Sequence, residues 1–187
     1  MAERLDFLNK LAGSLLSRLG TKQKVVVAAA MFMIILFLAA KVAFWALLFI
    51  LAASIAEIYN KEFRTPIHFD LVKLGTILAS SAYGAGVGIF VGIASSFFSK
   101  LFSGRLNATF VISALGIIII SLLAAAFSNA NITTLGISLV AVYYLITTPI
   151  NLMMGEDLAY AAAYVASSLL VNAFLFIVVA PKLAGLL

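Results

Sequence analysis

Residues 107–127 read NATFVISALGIIIISLLAAAF. After Asn107 the stretch carries no charge and no proline, and its only hydroxyls are those of Thr109, Ser113 and Ser121. It has the length of one crossing of a hydrocarbon core about 30 Å thick. In lipid a lone segment satisfies its own backbone polar groups only as a helix, and no alternation of apolar and polar residues argues for a strand. The stretch is a membrane-spanning helix, and its neighbours on both sides repeat the pattern.

Downstream, Ser128–Asn131 forms a short turn and Ile132–Thr148 a further span. Pro149 to Asp157 reads as the next break, with Asp157 placed to cap a helix over Leu158–Ala180 that Pro181 stops. Upstream, Ser103-Gly104-Arg105 turns the chain after a helix over Gly84–Phe102. Tyr83-Gly84-Ala85-Gly86 is a tight connection, and Asp70 caps a short helix running to Ala82. Asn60–Phe69 (NKEFRTPIHF) is a polar loop holding a proline and the single histidine.

The region from Val25 to Ile58 admits two readings. It is apolar except for Lys41, Ser54 and Glu57, and as one helix it is roughly 51 Å long, well beyond a single bilayer crossing. Two shorter helices, Val25–Ala40 and Val42–Ile58, bring Lys41 out of mid-membrane, where a charge is costly. No glycine, proline or asparagine marks a turn at Lys41, which favours the single helix. Ahead of it, Leu5, Leu8, Ala12, Leu15, Leu16 and Leu19 share one helical face, with Arg4, Lys10, Ser14 and Arg18 on the others. Residues 1–24 therefore read as an amphipathic interfacial arm, lying in the headgroup region or docked on a partner subunit. Residues 25–187 read as one transmembrane domain.

Composition agrees. Of 187 residues, 65% are hydrophobic and only 10% charged, with mean hydropathy +1.20; soluble domains carry about 25% charged residues. The fold class is all-α, a polytopic bundle of six or seven transmembrane helices, and the expected location is the cell membrane. Twelve Lys/Arg against seven Asp/Glu give a net charge of +5. These positives sit in short loops and at the N-terminus, so they read as topology signals rather than a nucleic-acid surface. A six-span core puts Lys61, Arg64, Lys73, Lys100 and Arg105 outside; a seven-span chain with a cytoplasmic N-terminus puts them inside. Charge favours the second arrangement and turn chemistry the first. Cysteine is absent, so there is no disulfide framework and no thiolate site.

Gly84, Gly88 and Gly92, with Ser96, recur every four residues and give a smooth strip for close helix packing. Ala39, Ala43 and Ala46, with Ala52, Ala53 and Ala56, make a second smooth surface. Polar residues gather in three places: Lys61, Glu62, Arg64, His68, Asp70 and Lys73; the pair Lys100 and Arg105; and Asn151, Glu156 and Asp157. The last leads into a stripe of Tyr160, Tyr164, Ser168 and Asn172, spaced by four, which should face a cavity or the bundle interior because lipid cannot satisfy it. A lone histidine with no cysteine does not make a zinc site. No HExxH, GxSxG, P-loop lysine or dinucleotide turn occurs, so neither an enzyme nor a cofactor is expected.

From Val42 onward the chain resembles the substrate-binding S components of energy-coupling-factor transporters, and more distantly the MreD-like cell-shape proteins. The residues that carry the resemblance are AFWALLFILAASIA (43–56), RTPIHFD (64–70), LVKLGTILASSAYGAGVGIFVGIASS (71–96) and the terminal LLVNAFLFIVVAPKL (169–183). It implies a six-helix bundle that binds a small molecule and works with separate energising subunits. By that resemblance the ligand would sit at Arg64, His68, Asp70, Asn151, Tyr160 and Tyr164, with Asn172 further along the same polar stripe. The alternative reading is a non-catalytic scaffold of a larger membrane complex, suited by the arm and the smooth glycine and alanine faces.

Overall fold

The computed structural model describes residues 21–63, 70–104 and 109–187. The expected amphipathic helix at 1–19 and two expected ligand residues, Arg64 and His68, lie outside them. The chain divides into two compact units, residues 1–43 and 44–187. The division falls between Ala43 and Phe44, whereas the sequence set the arm apart from the membrane domain at 24/25.

Every element among the described residues is helical: α1 (Thr21–Phe63), α2 (Leu71–Tyr83), α3 (Ala85–Ser103), α4 (Thr109–Ala126), α5 (Ile132–Met153), α6 (Leu158–Phe174), a π-turn (Leu175–Val179) and α7 (Ala180–Ala184). In α1 the helix continues without a turn at Lys41, so the single-helix reading of this region holds. Within the first unit Thr21–Ala43 is helical, and Phe37, Ala39 and Ala40 are exposed.

Five segments are long and apolar enough to cross a membrane: Ala39–Asn60, Ala85–Ser103, Thr109–Ala126, Ile132–Met153 and Leu158–Ala184. Large apolar side chains such as Phe90, Val111, Leu115, Leu145 and Leu170 stand exposed on the second unit, a surface suited to acyl chains and unusual in water. The protein is an all-helical, multi-pass membrane protein.

Helix α2 is the exception in length. Its 13 residues rise about 20 Å, short of a hydrocarbon core of about 30 Å. It lies at the centre of the second unit, with Lys73 to Ser80 buried without a break. The hydroxyls of Thr76 and Ser80 donate to the carbonyls of Val72 and Thr76, each at 2.7 Å, so these two buried hydroxyls are satisfied within the helix, while Ser81 Oγ is buried without a partner. Asp70 caps it, accepting from the Val72 N–H at 3.1 Å.

Helices α2 and α3 form a tight antiparallel hairpin around Gly84, whose φ of 93° and ψ of 165° belong to a region nearly confined to glycine. A Cβ at Gly88 would lie 2.7 Å from Ser80 Cβ and 2.9 Å from its Cα, and one at Gly92 would meet Thr76 and Ile117. Gly88 and Gly92 therefore let α3 lie against α2, and Gly92 meets α4 as well. Gly84 does not belong to that strip: nothing lies within 4 Å of its would-be Cβ, and its role is conformational. Gly84→Ala is accordingly expected to cost about 1–3 kcal/mol through backbone strain alone, read as a lower melting temperature in detergent. Gly86→Ala, in open space on the helix, should leave the melt unchanged.

Two prolines behave differently from the expectation. Pro149 lies inside α5, which runs on to Met153, so the break is confined to residues 154–157. Within a bilayer a proline forfeits one hydrogen bond, while ending the helix there exposes several backbone groups. Pro181 does not end the last helix either. The π-turn, closed by the Ala180 N–H on the Leu175 carbonyl, widens the backbone just before it. Pro181 then falls in the first turn of α7, where its missing N–H costs least.

Candidate functional site

The pairing of Gly88 with Ser80 and of Gly92 with Thr76 fixes an antiparallel register between α2 and α3. Continued to the start of α2, that register sets Asp70 level with Phe98, and α3 runs on five residues to Ser103, about 7.5 Å further. The short central helix thus stops below the end of its neighbours. Above it lies a cavity of about 490 Å³, within the range of small-molecule sites.

The walls come from six successive helices, alternately from the end of one and the start of the next. Asp70 and Lys73 form the floor at the start of α2; Ser96, Ser99 and Lys100 come from the end of α3; Thr109, Ser113 and Ile117 from the start of α4. Tyr143, Tyr144, Thr147 and Asn151 come from the end of α5, and Glu156, Tyr160 and Tyr164 from the entry to α6. Glu57, near the end of α1, completes it. Up-down topology makes this convergence automatic: starts of even-numbered helices and ends of odd-numbered ones share one face, and the break before α6 returns there.

Two ammonium groups dominate. Lys73 is almost wholly buried, pairs with Asp70, and lies 4.5 Å and 4.6 Å from the ring centroids of Tyr143 and Tyr144. A buried charge needs such compensation, and two ring faces add cation–π attraction to the ion pair. Lys100 donates to Ser113 Oγ at 2.9 Å and lies 5.7 Å from the Phe110 ring. The tyrosines form a connected aromatic wall, Tyr143 to Tyr144 at 5.3 Å, Tyr144 to Tyr164 at 6.1 Å and Tyr164 stacked on Tyr160 at 6.5 Å. Ser99 Oγ and Asn151 Oδ1 are buried with no hydrogen-bond partner.

Among the expected ligand residues, Asp70, Asn151, Tyr160 and Tyr164 come together on this cavity. Asn172 does not join them. It is fully buried, below the cavity, and its amide donates to the Ser168 carbonyl at 2.9 Å. Ser168 in turn receives the Tyr144 hydroxyl. The polar stripe on α6 therefore leaves the cavity after Tyr164 and continues into the core, where Ser168 is bonded across to α5 and the Asn172 amide within α6, while Asn172 Oδ1 is buried without a partner.

Sequence reasoning missed Tyr143 and Tyr144 altogether. They are adjacent, so they show no period of four, and they sit in an otherwise apolar span. The one available signal was two consecutive hydroxyl-bearing aromatics followed by Thr147 and Thr148 in the same helix. Lys73 and Lys100 stood out as charges but not as partners, because they belong to different helices. No group of three or more His, Asp or Glu side chains among the described residues could hold a metal ion.

No family model matches the chain, and neither a curated protein nor a solved structure matches it.

Proposed function

We propose that the protein is a small-solute-binding subunit of a cell-membrane transporter, similar in kind to the S components of energy-coupling-factor systems and energised by separate subunits. The observation that carries this reading is the cavity itself: charged and aromatic side chains from six helices converge above a central helix too short to fill the bundle. Charges inside a membrane protein are costly and mark pathways and binding sites. A bundle built only to pack would close this space with apolar side chains, as it does lower down around Ile77, Val91, Ile120 and Phe176.

Mass spectrometry of the protein extracted with its native lipids tests the reading. A bound small molecule is expected at stoichiometric occupancy, and Tyr164→Ala should deplete it, since that ring joins the aromatic wall. Protein partners in fixed ratio with no bound solute would instead establish the scaffold reading.

A further inference from the structure

Lys100 and Lys73 have different electrostatic circumstances. Lys73 has its counter-ion in Asp70. Lys100 makes no ion pair among the described residues; its contacts are the Ser113 hydroxyl and the Phe110 ring. Its place in the last turn of α3 suits the helix dipole, but that leaves a partly buried ammonium facing a cavity with only neutral neighbours in contact. Beside it, one turn or less along α3, Ser99 is 5% exposed and its hydroxyl has no partner. On the facing helix end, the Asn151 side chain presents a buried, unpartnered oxygen, and an amide offers both donor and acceptor.

We infer that this cavity takes a small organic monocarboxylate with an apolar or aromatic body, its carboxylate seated on the Lys100 ammonium and the Ser99 hydroxyl. The inference rests on the solute-binding reading and specifies its ligand. A carboxylate is the complement of one ammonium and one hydroxyl, giving a charge-assisted hydrogen bond on Lys100 and a donor for its second oxygen. The remaining charges set the upper limit. Glu57, Asp70 and Glu156 also line the cavity, and Glu57 and Asp70 act on Lys100 through space. A second negative group on the ligand would meet these carboxylates in a medium that screens poorly. The body of the ligand lies along the tyrosine wall, where Tyr160 and Tyr164 stack. At about 30 Å³ per water-sized unit the cavity accommodates a solute of about 15 non-hydrogen atoms.

The test uses the full chain in lipid nanodiscs and calorimetry with three probes, cyclohexanecarboxylate, 3-phenylpropionate and 2-naphthoate, each against its primary amide. Phenylsuccinate serves as the dicarboxylate. At least one acid is expected to bind about tenfold or more tighter than its amide, the margin of a hydrogen bond to a charged group, and phenylsuccinate more weakly than 3-phenylpropionate. K100Q should abolish the preference for acid over amide, and K100R should keep it. Equal binding of acid and amide overturns the carboxylate assignment and leaves a solute site standing. So does failure of every probe when the native protein still carries a bound solute. Failure of every probe with only protein partners in the native extract overturns the binding reading as well. The wild-type comparisons decide the point should K100Q fold poorly.

Discussion

Asp70→Asn is expected to destabilise the protein by about 3–5 kcal/mol, the cost of stranding one member of a buried ion pair. Asparagine keeps the N-cap that Asp70 gives to α2, so the loss is not a capping effect. What the substitution removes is the counter-ion of Lys73, whose side chain is 3% exposed. The ammonium is then left with the faces of Tyr143 and Tyr144, an attraction of about 2 kcal/mol when desolvated. Adding Lys73→Met removes the stranded charge and should recover most of the stability, because apolar replacement of a buried pair is often neutral or better. Thermal unfolding in one detergent, run as a double-mutant cycle, reads this directly. Additive losses would mean that the two groups do not hold each other in the membrane.

Gly88→Ala should cost about 3 kcal/mol, near the upper end of overpacking. A single methyl suffices, because the atom it meets at 2.9 Å is the Ser80 backbone Cα, which has no rotamer to escape into. Relief requires the α2–α3 hairpin to open, and with it the register that forms the cavity. The variant should therefore lose bound solute as well as melting temperature. Gly88→Leu should prevent assembly of the bundle. A Gly88→Ala protein with an unchanged melt and unchanged occupancy would show that the hairpin does not set the cavity.

Much of this architecture was legible in the residues. The span over Thr109–Ala126 needed only its apolar run, since lipid leaves a lone segment no alternative to a helix. Asp70 and Asp157 announced helix starts, and both side chains accept the expected backbone N–H. Glycine at four-residue spacing showed a close approach of helices, though spacing did not reveal that Gly84 turns the chain while Gly88 and Gly92 pack it. Asp70, Asn151, Tyr160 and Tyr164 were reached through the family resemblance, Asp70 and Asn151 standing out near helix ends and Tyr160 and Tyr164 as part of a polar stripe spaced by four in an apolar span.

The residues alone determined the solvent of this protein, the type of its elements and the ends of most of them, because those depend on local composition and on the bilayer thickness. Only the tertiary structure decided which polar groups meet. The ion pair of Lys73, the tyrosine wall from Tyr143 to Tyr160 and the neutral side chains in contact with Lys100 depend on which helix faces which, and on the offset between a short central helix and its longer neighbour. That offset follows from the pairing of Gly88 with Ser80 and of Gly92 with Thr76; the glycine spacing shows that a helix approaches closely, but not which residues of which helix it meets. The same holds for Asn172: its period matches that of the site residues, but its depth in the bundle sends its amide into the core instead.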